Sequence, residues 1–112
     1  MNEQPRTQIV ANNSQVVLKK TLDIICGKWR LYIIFQLGTQ ARRYGELRRM
    51  IPEVSEKVLI QELKALAALG MVEKKSFPEV PPRVEYGLTP KGLEVLPMLQ
   101  KLTSIGELFL KP

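Results

Sequence analysis

A chain of 112 residues with 17 Lys or Arg against 11 Asp or Glu, a formal charge of +6 and a pI near 9.7 is expected to form one domain, spanning 1–112, with a single core and a basic bias suited to a polyanionic partner. One cysteine and no histidine exclude an intrachain disulfide, a Cys/His zinc centre and a histidine-based triad, and no G-x-x-x-x-G-K-S/T loop is present to cradle a nucleotide. No apolar run approaches the roughly 20 residues of a membrane span, and the opening MNEQPRTQIV lacks the order of a secretion signal, so a soluble cytoplasmic protein with no membrane partner, metal or cofactor is expected. The basic surplus is uneven: residues 1–43 hold seven cations against two acids, residues 44–86 seven against seven. Composition alone is therefore a weak pointer to nucleic acid.

In chain order, residues 1–13 are polar and read as a flexible arm. SQVVLKKTLDIIC follows, with Val17, Leu18, Leu22 and Ile25 at spacings of one, four and three and Ser14 placed as a cap, which predicts a helix over 14–26. Gly27 punctuates. KWRLYIIFQLG then predicts a short apolar helix ending at Gly38, with Trp29, Ile33, Ile34 and Leu37 buried and Trp29 a core anchor rather than a platform for stacked bases. A third helix is expected around Tyr44 to Ile51, with Leu47, Met50 and Ile51 inward and Pro52 as its stop. PEVS makes a tight turn in which Ser55 caps the next helix and Glu56 complements its dipole.

From Ser55 to Leu69 the residues fall about 100° apart around a helix, so Leu59, Leu63 and Leu66 share one side and Lys57, Gln61, Lys64 and Ala68 the other. Gly70 suits the position just past its end. MVEKKSF and RVEYGL alternate as two strands do, and the PEVPP between them lacks a ladder donor at three of five positions, so it is a hairpin tip. Helix, tight turn, helix and hairpin describe a mainly α fold with a small β-hairpin: a winged helix-turn-helix. Thr89 as cap and Pro90 at the first helical position then open a last helix over 90–110, which Pro97 should kink. Its apolar face is longer than one small domain can cover. A homodimer is expected, with the helices over 14–26 and 90–110 meeting their twins through Val17, Leu18 and Leu22, and through Leu96, Leu99, Leu102, Ile105, Leu108 and Phe109.

Two amines and an amide on the outward side of a helix are groups that read a duplex groove. Lysine donates to guanine O6 and N7, and glutamine pairs with adenine, which makes Lys57, Gln61 and Lys64 the expected base readers. Arg42, Arg43, Arg48 and Arg49 are expected on phosphates, at least one of them being only a surface charge, and Ser55 on a phosphate or simply capping. On the hairpin, Arg83 beside the prolines suits a minor groove, while Lys74 and Lys75 alternate so that only one can face DNA.

GKWRLYIIFQL, RRYGELRRMIPEVSEKVLIQELKALAALGMVEKK and PEVPPRVEYGLTPKGLEVLPML resemble the HxlR-type winged-helix transcriptional regulators of bacteria across residues 21–102, PPRVEYGLTPKG being the most specific stretch. The resemblance implies a cytoplasmic homodimer that binds a double-stranded DNA operator to repress or activate, with terminal helices at the dimer interface, a recognition helix over 55–69 and a wing over 71–88. Members that sense oxidants carry a cysteine some way before GKW, where this chain reads SQVVLKK. Cys26 therefore reads as a small buried residue, the alternative being a redox switch with an exposed, low-pKa thiolate. The rival class is a winged-helix protein-interaction module without DNA binding, favoured by the even charge of residues 44–86. Enzymatic chemistry has no support, since Glu46, Glu53, Glu56 and Glu62 stand among arginines and lysines with which they can pair. Nor does any polar cluster mark a small-molecule effector site.

Overall fold

Apolar stripes from three helices converge in the computed structural model, which describes the backbone of residues 4–111 and the side chains of residues 13–111. The elements are α1 (Gln4–Ile25), α2 (Lys28–Leu37), β1 (Arg42–Arg43), α3 (Tyr44–Met50), α4 (Glu56–Ala68), β2 (Val72–Phe77), β3 (Arg83–Leu88), α5 (Pro90–Leu93) and α6 (Leu96–Leu110). Ile33, Ile34 and Leu37 of α2 meet Leu47 of α3, Ile51, Val54 and the Leu59, Leu63 and Leu66 stripe of α4, with Val72 and Leu99 closing the cluster. Each fully buried leucine or isoleucine contributes about 1.5–3 kcal/mol. Trp29 is half-buried against this core and meets the Tyr32 ring edge-on at 6.2 Å between centroids. The expected winged helix-turn-helix is the observed arrangement.

The ends of α4 are fixed by separate devices. At its start the Ser55 hydroxyl accepts from the Val58 N–H at 3.1 Å, as the PEVS turn predicts. At its finish Gly70 takes φ +76°, where a side chain would strain the backbone. The Lys91 ammonium donates to the Leu69 carbonyl at 2.9 Å, and the Thr89 hydroxyl to that of Gly70 at 2.6 Å, placing a cation at the negative end of the helix dipole.

The sheet holds one strand more than the expected hairpin. Its order is β1-β3-β2, all antiparallel, with Arg42 opposite Tyr86, Lys74 opposite Tyr86 and Lys75 opposite Glu85. A strand of two residues carries no periodic signal, so Arg42 and Arg43 read only as the approach to α3.

Two boundaries also differ. The expected arm over 1–13 is helical from Gln4 onward, residues 1–3 lying outside those described, and Ser14 sits inside α1 rather than capping it. Pro5 falls in the first turn, where its missing N–H is no loss, and Asn12, Asn13 and Ser14 each cost a growing helix only about 0.7 kcal/mol or less. The helix expected over 90–110 is broken rather than kinked. Proline at position 97 has no N–H for the Leu93 carbonyl and its ring crowds that oxygen; α5 accordingly stops at Leu93, and α6 restarts with Pro97 in its first turn.

Gly92 explains one letter of the TPKG stretch. A Cβ there would stand 2.2 Å from the Met71 carbonyl oxygen, a backbone atom held where the Thr89 N–H donates to it at 3.0 Å. Gly92→Ala is expected to destabilise the protein by about 3 kcal/mol, at the upper end of overpacking costs, read as a lowered urea midpoint without a change of slope.

Candidate nucleic-acid interface

Burying Leu59, Leu63 and Leu66 leaves α4 one rotational setting, and the rest of its surface follows from the helical repeat. Lys57, Gln61, Lys64 and Ala68 are all exposed on the far side. Glu62 lies on the flank facing α2, where Arg30 meets it at 2.8 Å. Ile60 and Ala67 lie on the opposite flank, facing the sheet. There an open cleft of about 410 Å³ has an apolar floor of Ile60, Leu63, Ala67 and Val84, the rings of Tyr44 and Tyr86, and Lys64 and Lys74 on its two banks.

Strand alternation separates the wing lysines as expected. Lys74 joins this cleft, whereas Lys75 lines a groove with Gln40 and Glu85 on the other face of the sheet. Arg43 is exposed and its N–H donates to the Glu46 carboxylate at 2.8 Å, steadying the start of α3. Arg48 is half-buried with a long 3.5 Å contact to the Ile51 carbonyl, and Arg49 is exposed. Arg42 is half-buried on the cleft face of β1, its Nε enclosed without a hydrogen-bond partner. Arg83 departs furthest from expectation: its guanidinium pairs with Glu79 at 3.0 Å and Glu85 at 3.6 Å and stacks 4.0 Å from the centre of the Phe77 ring. A cation so engaged braces the hairpin and offers a groove little free charge.

A helix held at both ends, an outward strip of amines and amide, and a braced wing are the parts of a DNA reader, and the family model for HxlR-like helix-turn-helix proteins matches residues 24–112. The chain belongs to the HxlR-like helix-turn-helix family. An uncharacterized HTH-type transcriptional regulator of Halalkalibacterium halodurans is 45% identical over 87 residues, covering 77% of each chain. A solved structure from Porphyromonas gingivalis, described as a transcriptional regulator of the MarR family, is 53% identical with a TM-score of 0.76, covering 80% of this chain and 87% of that one. The reduced form of the transcriptional regulator YodB from Bacillus subtilis is 30% identical with a TM-score of 0.73, over 84% and 92% of the two chains. This HxlR-like protein is accordingly a DNA-binding HTH-type transcriptional regulator and not an enzyme. Among its described residues no helix is long and apolar enough to cross a membrane.

Sequence reasoning missed four side chains in and around this candidate interface. Ile60 falls off the leucine stripe, and that displacement was the available signal. Tyr44 and Tyr86 come together only through the β1–β3 pairing, and Arg30 reaches α4 across 32 positions of sequence. Cys26, expected to be buried, is exposed just past the end of α1, where it borders an apolar groove of about 460 Å³ with Tyr32, Phe35, Leu99 and Leu102. No α1 residue from 13 to 24 packs over it, because that stretch is exposed throughout.

Burial pushes the Tyr44 phenol above its ordinary value of 10.0, the nearby Glu56 carboxylate adds to the rise, and Arg48 opposes it; burial alone raises Tyr86. A phenol with a raised folded-state pKa contributes stability that is complete below pH 10.0 and is lost as pH climbs through the folded value. The phenolate absorbance that Tyr44→Phe removes from the HxlR-like protein is therefore expected to have its midpoint above pH 10.0 when folded and to return to that value in denaturant.

Proposed function

We propose that the protein works in the cytoplasm as a two-fold dimer on a double-stranded DNA operator, with α4 of each subunit in successive major grooves about 34 Å apart. The observation that carries this reading is the exposed strip of Lys57, Gln61 and Lys64 on a helix fixed by Ser55 at one end and Lys91 at the other. Lys57 and Gln61 read base edges, and Lys64 reads a base or the phosphate beside it.

With α4 in a major groove and the hairpin at the adjoining minor groove, the strand that separates the grooves runs through the cleft between them. Its deoxyriboses meet the apolar floor, and its phosphates meet Lys64 and Lys74. Arg43, Arg48 and Arg49 add phosphate contacts that set register without reading sequence, and Ser55 serves as the helix cap. Arg42 lends positive potential from beneath, and Arg83 shapes the wing instead of entering the minor groove.

Dimerisation is supported by the apolar surface that one subunit leaves uncovered. Val17, Leu18 and Leu22 on α1, and Leu102, Ile105, Leu108 and Phe109 on α6, are between 45% and 80% exposed. Only Leu99 of the expected α6 row is buried, with Leu96 half-buried. Exposed apolar rows of this kind mark an interface, and α1 of a second copy offers a matching face. The balanced charge of residues 44–86 means that binding rests on placed side chains rather than on bulk charge, and retardation of the protein's own upstream DNA in a gel over unrelated DNA checks it.

Selection of bound fragments from sheared genomic DNA is expected to recover an inverted repeat, and recovery of unrelated sequence would defeat the reading. Gln61→Ala and Lys57→Ala should each relax preference at one position of the half-site by about 1–3 kcal/mol while leaving random DNA unaffected. Lys74→Ala should reduce the slope of log K against log salt by roughly one phosphate contact, whereas Lys75→Ala, on the far face of the sheet, should not change it. Leu102→Asp is expected to yield a monomer by light scattering and to abolish binding to the paired half-sites.

A further inference from the structure

Arg30 joins three segments through one guanidinium. From α2 its Nε donates to Glu62 Oε1 at 2.8 Å and its Nη2 to Oε2 at 3.4 Å, while Nη1 donates to the Ile24 carbonyl in the last turn of α1. The two charged side chains are only 21% and 22% exposed. A planar guanidinium matches a carboxylate along two parallel bonds and still has a donor to spare, which neither lysine nor glutamine can reproduce.

What it joins matters more than the pairing. Glu62 adjoins Gln61 on α4, the helix that reads DNA. Ile24 lies in the last turn of the helix whose exposed Val17, Leu18 and Leu22 form the uncovered apolar row. Between α1 and α2 the chain runs only through Cys26 and an extended Gly27, φ −70° and ψ 141°, and in the stretch from 13 to 25 Ile25 alone is buried. A two-residue connector containing glycine does not fix a direction. Arg30 does, because its three donors are committed at once to α1 and α4.

We propose that Arg30 is a positioning residue that holds α1, one of the two dimer-forming helices, at a set angle to the reading helix, and so helps to fix the spacing between half-sites that the dimer accepts. This rests on the dimeric DNA-reading function proposed above. Without Arg30 each subunit would keep its base contacts, yet the two reading helices would swing relative to each other.

The test uses the full chain and synthetic duplexes bearing the selected inverted repeat, with the spacer changed by one and two base pairs. Each base pair turns a half-site by about 34–36° around the duplex. Wild type is expected to lose about tenfold or more in affinity per step. Arg30→Met should flatten that profile to within about threefold, with binding to random DNA and its salt dependence unchanged. A purely structural loss would lower affinity at every spacing alike.

The charge swap Arg30→Glu with Glu62→Arg separates the two links. It restores the pair between α2 and α4, but a carboxylate at position 30 cannot donate to the Ile24 carbonyl, so stability should recover while the profile stays flat. Arg30→Lys, whose single ammonium cannot serve both partners, replaces the methionine variant should that one fail to fold, and is expected to broaden the profile likewise. A sharp wild-type optimum kept by a folded Arg30 variant, or restored by the swap, would overturn the proposal and leave the dimeric reading standing. A wild-type protein indifferent to spacing, or monomeric on DNA, would overturn both.

Discussion

The rotational setting of α4 governs this molecule. Leu59, Leu63 and Leu66 enter the core together, and a helix with three fully buried side chains on one stripe cannot roll without exposing hydrocarbon. Every functional feature of α4 follows from that constraint. Lys57 and Gln61 face outward because the leucines face in, Ile60 and Ala67 wall the cleft because they lie a quarter-turn away, and Glu62 meets Arg30 because it lies on the remaining flank. Ser55 and Lys91 then keep the helix from sliding along its axis.

The sheet extends the same logic to the wing. Pairing of β2 with β3 puts Lys74 and Tyr86 on one face and Lys75 and Glu85 on the other, so a single amine of the wing joins Lys64 at the cleft. The hairpin beyond is braced by Arg83, gripped by two carboxylates and laid on the Phe77 ring. Backbone packing at its base is equally strict: Gly92 touches the Met71 carbonyl, leaving no room for a methyl group. Wing, α5 and the end of α4 thus behave as one unit.

Much of this was legible beforehand, and what was legible was local. The leucine period of α4, the Ser55 cap, the proline-rich hairpin tip and the Thr89–Pro90 helix start all depend on neighbours within a few positions, which sequence displays directly. The misses came from longer range or from competition between signals. β1 exists only because Tyr86 and Glu85 arrive beside it. Arg83 reads as a free cation until Glu79 and Glu85 converge on it. Cys26 reads as buried because small apolar residues usually are, while its exposure follows from a helix that stands clear of its own core. Pro97 is plain in the sequence, yet its effect depends on the Leu93 carbonyl that it crowds.

The engaged state of Arg83 reaches beyond the wing. Counterions driven off phosphate by unpaired cations are what make proteins cling to any sequence, and each such cation deepens that indiscriminate hold. Here one guanidinium is withdrawn into the fold, within a segment whose acids equal its bases. Withdrawing that guanidinium lowers the charge that the wing can offer to phosphate of any sequence, so selectivity on the operator proposed above would rest on the shape and chemistry of the reading edge.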